Sequence, residues 1–155
     1  MLINPIYQEQ QIINQYLQAL NFDDFHSGSI DIIFFTSPIN VDFNYSDYQR
    51  KVIIFLEQNY KGKNIIVKRH PRDFLTYDSP LYNSHYVNFE IPGQIISDYY
   101  DCSKIYAYPS TVILFEKDID KIQILKFHGI DNERYLNSFE HKKMKECKIV
   151  DIQKD

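Results

Sequence analysis

Short runs of apolar residues recur along this chain, each bounded by polar or turn-forming residues. The clearest is DIIFFTSP at residues 31–38, which is apolar on both faces when extended. A strand that is apolar on both faces is typical of a parallel sheet, because helices cover such a sheet on both sides. Five strands are predicted on this basis, over residues 31–38, 64–68, 86–92, 104–108 and 121–127.

Amphipathic or capped segments separate these strands and predict helices. They lie at residues 5–20, from Ser46 to Gly62, at 93–101, from Ser110 onward, and at 131–147. Strands that alternate with helices through short connections indicate parallel βαβ units. The predicted fold is therefore a single Rossmann-like α/β domain, a doubly wound parallel sheet of about five strands. Residues 1–30 are expected to form an N-terminal helix and a connecting loop, and residues 31–155 the domain itself.

Composition excludes several classes of protein. With 155 residues, 44% of them hydrophobic, the chain can form one core without disulfides. The two cysteines, Cys102 and Cys147, fit a reducing compartment, and their spacing to the histidines matches no metal site. No apolar run reaches the roughly 18 residues of a membrane span, and no signal peptide is recognisable, so a soluble, cytoplasmic protein is expected. Only four glycines are present, and none forms a phosphate-binding glycine loop.

The charge distribution favours a small anionic ligand. The net charge of −4 argues against binding to nucleic acid. Residues 61–73 nevertheless hold five basic residues against one acidic residue, a local charge of +4. Solvated lysines are a sufficient explanation for Lys61 and Lys63.

His70 is the sharpest candidate in this basic segment. Pro71 favours an extended backbone at His70, which would keep the imidazole at the end of the second strand. Together with Arg69 and Arg72, the imidazole would donate hydrogen bonds to a phosphate. The alternative is an ordinary loop histidine with one backbone hydrogen bond.

Other candidates follow the remaining strands and are expected to meet at the same edge of the sheet, because ligands bind beyond the carboxyl ends of parallel strands. Ser110 and Thr111 would offer hydroxyls and a helix N-terminus to an anion, although Ser110 also fits an ordinary N-cap. Glu90 would contact a ribose or a base, or else be a solvated residue in a turn. Asp42 and Asp47 follow the first strand, where a carboxylate would deprotonate a hydroxyl group. Asp47 also suits the first turn of a helix for dipole reasons.

The ordered motifs IIVKRHPRD, FEIPGQI and IYAYPSTVILF resemble the carboxyl-terminal half of bacterial sialyltransferases of the GT-B fold. The resemblance is greatest to the lipooligosaccharide and capsule sialyltransferases of glycosyltransferase family 52, and it spans roughly residues 31–127. It implies a domain that binds CMP-sialic acid and transfers the sugar, with inversion and without a metal or other cofactor, to a glycan acceptor. It also implies a cytoplasmic enzyme, peripheral at the inner face of the membrane.

The resemblance assigns roles to individual residues. His70 matches the histidine that contacts the donor phosphate and assists the departure of CMP, and Asp47 stands closest to the position of the catalytic base. The other matched residues bind the substrate, and they are Arg69, Arg72, Glu90, Pro92, Gly93, Ser110 and Thr111. Two departures are the NYSDYQ surroundings of Asp47 and Gln94, where the family usually has an acidic residue.

A complete GT-B enzyme has a second domain that holds most of the acceptor, and only about thirty residues precede the first predicted strand here. A second copy or another chain is therefore an expected partner. The alternatives are a catalytically incomplete nucleotide-binding or interaction module and, less favoured, a flavodoxin-like regulatory domain. The regulatory domain would need an acidic pair after the first strand and a later phosphoacceptor aspartate, which are missing.

Overall fold

The computed structural model of the chain contains a single sheet of six parallel strands flanked by helices. It describes residues 11, 15, 29–87, 91–100, 102–108, 118–127 and 146–152. In chain order the elements are β1 Ile32–Phe35, α1 Ile39–Asp42, α2 Tyr48–Asn59, β2 Asn64–Lys68, β3 Asn83–Val87, α3 Gly93–Tyr99, β4 Lys104–Ala107, a 3₁₀ turn Ile119–Lys121, β5 Ile122–Phe127 and β6 Lys148–Ile152. The predicted α/β Rossmann-like fold is confirmed.

The strand order is β3-β2-β1-β4-β5-β6, with every neighbouring pair parallel. The chain first adds strands on one side of β1 and then returns to add β4 on the other side. This is the order of the doubly wound dinucleotide-binding folds, in which the reversal opens a crevice beyond the carboxyl ends of the two central strands. In the present sheet that crevice lies beyond Phe35 of β1 and its register partner Ala107 of β4.

Both faces of the sheet are buried, which explains the continuous apolar runs in the sequence. Ile33 and Phe35 point to the face on which Ile96 of α3 packs. Ile32 and Phe34 point to the opposite face, against Val52 and Leu56 of α2. Successive side chains of a strand alternate between faces, so IIFF contributes equally to two cores.

The sheet differs from the prediction in the bounds of its third strand and in having a sixth strand. The third strand was expected at residues 86–92, but β3 covers Asn83–Val87, and Ile91 and Pro92 lie between it and α3. The apolar pattern from Tyr86 to Ile91 obscured the polar start of β3, which is tolerated because β3 is an edge strand with one side open to solvent. β6 was not predicted at all, since residues 131–147 were expected to end the fold as a helix.

Several predicted helices fall largely outside the described residues. Gln11 and Gln15 are helical, as is Glu146, but the rest of residues 5–20 and 131–145 lie outside the described ranges. The helix expected from Ser110 lies outside them as well. The helix after Ser46 is confirmed as α2, and the chain then turns through Gly62, whose φ of +74° is in the left-handed region that favours glycine.

Among the described residues, no helix has both the length and the apolar character needed to cross a membrane.

Candidate functional site

The segments that follow β1 and β2 form the candidate site at the carboxyl edge of the sheet. Phe35 and Lys68 are register partners, so the segments after them start side by side. Two contacts join these segments directly. The backbone N–H of His70 donates to Thr36 Oγ1 at 3.1 Å, and the Arg72 guanidinium reaches Asp42 in the segment after β1. The predicted convergence of these two strand ends is therefore present.

The backbone N–H of Arg72 holds the His70 ring in one orientation. The Arg72 N–H donates to His70 Nδ1 at 3.1 Å, which assigns Nδ1 as the acceptor of the neutral ring and Nε2 as the nitrogen that bears hydrogen. Among the described residues, the two hydrogen bonds of His70 use its backbone N–H and Nδ1, and neither uses Nε2. His70 thus has a hydrogen-bond donor to offer a ligand while its other ring nitrogen is occupied.

The surroundings of His70 favour its neutral form. Partial burial lowers the pKa of the imidazole, and the positive charge of Arg72 and, more weakly, that of Lys68 act in the same direction. Asp42 and Asp73 oppose this effect. In the absence of a ligand, His70 therefore acts near neutral pH as a hydrogen-bond donor and not as a charged acid.

Arg72 and Asp42 form a bidentate ion pair, with N–O distances of 2.8 and 3.0 Å. Planar pairing of a guanidinium with a carboxylate fixes both groups more firmly than a single contact does. Asp42 ends the one-turn helix α1 in the segment after β1, so this pair ties that segment to the one after β2. A ligand anion that takes Arg72 must share it with Asp42 or displace Asp42.

Arg69 and Lys68, the two basic residues directly before His70, are partly engaged. The Arg69 guanidinium lies over the ring of Tyr86, 5.1 Å from its centroid, and Arg69 Nη1 donates to the Leu75 carbonyl at 3.5 Å. Lys68 is buried, and its Nζ donates to the Arg69 carbonyl at 3.1 Å. Burial lowers the pKa of Lys68. Arg69 therefore contributes positive charge at the carboxyl edge of the sheet, whereas Lys68 is buried behind that edge.

The segment after β1 also reaches toward β4. The ring of Phe43 packs edge-on against Tyr108, which directly follows β4, with centroids 6.3 Å apart. In α1, Asn40 Oδ1 is buried and has no hydrogen-bond partner among the residues that the structure describes. Buried acceptors are usually satisfied, so this oxygen is an exception within the described part of the fold. Nothing in the sequence distinguished Asn40 from other loop asparagines.

The remaining predicted site residues are placed as follows. Asp47 directly precedes α2, where its carboxylate pairs with Arg50 at 3.6 Å. Pro92 and Gly93 form the start of the seven-residue helix α3. Glu90, Ser110 and Thr111 lie outside the described residues. His70, Arg72 and Asp42 are thus brought together, and the roles expected for Asp47 and the others stay predictions.

Within the described ranges, no group of three His, Cys, Asp or Glu side chains is arranged to hold a metal ion.

Replacing Thr36 by valine is expected to lower the free energy of unfolding by about 1–3 kcal/mol, because the His70 N–H would lose its acceptor. Chemical denaturation measures this change. Thr36→Ser, which keeps the hydroxyl, is the matched control. A loss in Thr36→Ser without a loss in Thr36→Val would show that the methyl group of Thr36, and not its hydrogen bond, stabilises the fold.

Comparisons with known proteins found no matching family model, no matching curated protein and no matching solved structure.

Proposed function

We propose that this chain is the donor-binding domain of a sialyltransferase-like glycosyltransferase and binds a CMP-sugar at the carboxyl edge of its sheet. The observation that carries the proposal is the orientation of His70, whose Nδ1 is occupied by the Arg72 N–H so that Nε2 is the donor. The strand order supports it, because nucleotides bind beyond the switch point of such sheets. The resemblance of the FEIPGQI motif, in which Glu90, Pro92 and Gly93 match the segment around the cytidine, supports cytidine as the base.

The proposed chemistry concerns the bond between the sugar and the phosphate of CMP. As this bond breaks, its electron pair stays on the phosphate oxygen, and a fixed N–H donor aimed there stabilises the developing charge. His70 would supply that donor, with the positive charges of Arg69 and Arg72 beside it. The acceptor hydroxyl would form the new bond to the sugar and lose its proton to a base, for which Asp47 is the candidate.

A specific observation favours a second function, nucleotide binding without transfer by the chain alone. Asp42 is paired with Arg72, Asp73 accepts from Tyr77, and Asp47 is paired with Arg50. Each of these three carboxylates therefore already has a partner. In this version, a second chain would bring both the glycan acceptor and the base. The proposal also includes a glycan acceptor and a cytoplasmic location, and only the resemblance supports these two parts of it.

The donor assignment is tested by thermal shift with CMP, CDP, UDP and AMP. We expect the cytidine nucleotides to raise the melting temperature most and His70→Ala to abolish most of the response. His85→Ala, in the edge strand β3, is the matched control and should respond as the unmodified chain does. Equal stabilisation by AMP or UDP would overturn the donor assignment.

Turnover separates the two functions. Release of CMP from CMP-sialic acid, measured with and without a galactose-type acceptor, is expected to fall in Asp47→Ala if Asp47 is the base. The fall should be at least about a hundredfold, which is within the usual range for removal of a general base. Binding of CMP without any turnover would support the nucleotide-binding module.

The affinity for CMP is expected to rise as the pH is lowered from about 8 to about 6, relative to His70→Ala. The free imidazole has a lowered pKa, and a bound phosphate anion would raise it, so binding takes up a proton in this window. Calorimetric titration in two buffers measures that uptake. The phosphate of CMP also titrates near pH 6, which is why the slope must be compared with that of the variant. Parallel slopes would contradict the role of His70.

A further inference from the structure

We infer that Asp73 is a positioning residue. Its buried side chain fixes the turn of residues 70–73 and thereby holds the His70 imidazole in its binding orientation. The inference rests on the proposed function for its meaning, since it concerns the same phosphate site. Its physical content, a buried carboxylate that determines the orientation of His70, concerns the protein without a ligand and can be tested separately.

Asp73 closes the turn that contains His70. Its backbone N–H donates to the His70 carbonyl at 2.9 Å, so residues 70–73 form a tight turn with Pro71 at its second position. The side chain then fixes the exit of the turn, because Asp73 Oδ1 accepts the Leu75 N–H at 3.0 Å. The Arg72 N–H that occupies His70 Nδ1 lies inside this turn. The orientation of the imidazole therefore depends on the turn that Asp73 closes.

The second oxygen of Asp73 anchors the turn to the core. Tyr77 donates its hydroxyl to Asp73 Oδ2 at 2.6 Å, and both side chains are buried, with Asp73 only 4% exposed. The Tyr77 ring packs edge-on against Phe34 of β1 at 5.4 Å and against Tyr48 of α2 at 5.9 Å. The fully buried Tyr77 thus connects the Asp73 carboxylate to β1 and to α2.

The contacts that start at Asp73 also reach the segment directly after β1, next to the hydrogen bond that holds the His70 backbone. Tyr48 accepts the Ser37 N–H at 3.2 Å, and Ser37 follows Thr36, whose hydroxyl accepts the His70 N–H. Burial, and then the negative charge of Asp73, raises the pKa of Tyr48, so its hydroxyl stays protonated. His70 is consequently fixed to residues 36 and 37 by two routes, one through its own N–H and one through Asp73.

A purely structural role would not require a charge at this position. Burying a carboxylate costs free energy that its hydrogen bonds only offset, and apolar residues of similar size often serve packing as well or better. The charge does act on His70, however. Asp73 and Asp42 favour the protonated ring, while Arg72, Lys68 and burial oppose it. Asp73 therefore supplies both the geometry of His70 and part of its electrostatic surroundings.

The experiment is ¹⁵N-detected NMR of the histidine rings in the full-length chain without a ligand. We expect the unmodified chain to show His70 as the neutral ring with hydrogen on Nε2. In Tyr77→Phe and Asp73→Asn, the two ring nitrogens should shift toward a common averaged position as this preference is lost. In Asp73→Asn, the pKa of His70 should also decrease, because a negative charge has been removed. The affinity for CMP should fall by about tenfold, the lower end of the loss seen when residues that orient metal-ligating histidines are replaced.

Tyr60→Phe is the matched control, since it also removes a paired tyrosine hydroxyl. Its partner is the Tyr106 hydroxyl. Tyr60 follows the last residue of α2, whereas Tyr48 is the first residue of that helix. The His70 signals should not change in this variant. If Asp73→Asn fails to fold, Tyr77→Phe tests the inference alone.

Unchanged His70 signals in the folded Asp73 and Tyr77 variants would overturn the inference, as would an equal change in Tyr60→Phe. Altered His70 signals in a protein that does not bind CMP would support the positioning role and overturn the proposed function.

Discussion

Replacing Phe127 by alanine is expected to lower the free energy of unfolding by about 3–5 kcal/mol, the usual cost of removing a buried aromatic ring. Phe127 ends β5 and is 1% exposed. Its ring packs edge-on against Tyr48 with centroids 5.2 Å apart, and it lies 6.3 Å from both Tyr45 and Tyr108. These partners come from α2, the segment before it and the end of β4, so the cavity would open where three parts of the fold meet. Denaturation by urea measures the change.

Phe74→Ala is the matched control for this prediction. Phe74 is 85% exposed, so the same substitution removes almost no buried surface. The free energy of unfolding should stay within about 0.5 kcal/mol of that of the unmodified chain. Comparable losses in the two variants would contradict the placement of Phe127 at the centre of the core.

Replacing Ile152 by aspartate is expected to cost about 3–5 kcal/mol, the usual penalty for a buried charge without a partner. Ile152 is the last residue of β6 and is 3% exposed, where it packs with Phe127 and Leu125 in the core between the sheet and α2. Because β6 is an edge strand, we expect it to detach before the rest of the sheet unfolds. Hydrogen exchange of the β5 and β6 amides would then accelerate ahead of those of β1.

Ile149→Asp in the same strand provides the comparison. Ile149 is 49% exposed, so the carboxylate can remain hydrated. A charge on an edge strand also discourages pairing with other chains. The variant should therefore keep its stability and its solubility. Equal destabilisation by the two aspartates would show that strand pairing, and not burial of Ile152, determines the stability of this edge.

The sequence predicted the interior of the sheet better than its edges, for a physical reason. NIIVK was placed at residues 64–68, and β2 has those boundaries, because its centre, Ile65–Val67, is buried and forms an uninterrupted apolar run. β3 and β6 lie at the two edges, where one side of the strand is open and polar residues such as Asn83 and Lys148 are tolerated. Their sequences therefore lack the continuous apolar pattern on which the prediction depended.

The candidate site shows a similar division. His70 and its neighbours were predicted because a histidine next to proline at the end of a strand is locally recognisable. The partners that orient the ring were not predicted, since they depend on packing between distant segments. Asp42 reaches Arg72 across thirty positions of sequence, and Tyr48 joins the network only because α2 lies against the loop after β2. Asp73 counted in the sequence only as one acidic residue in a basic segment.

The strand order has a consequence for synthesis of the chain. β1 pairs with β2 on one side, and its other side is filled by β4, which ends only at Ala107. Until β4 has left the ribosome, the apolar segment IIFF has an open side with unpaired backbone groups, which is a template for pairing with other chains. At about 5–20 residues per second, the roughly forty residues from β2 to β4 extend this exposure by several seconds. We therefore expect the yield of folded protein to depend on chaperones that bind apolar segments during that interval.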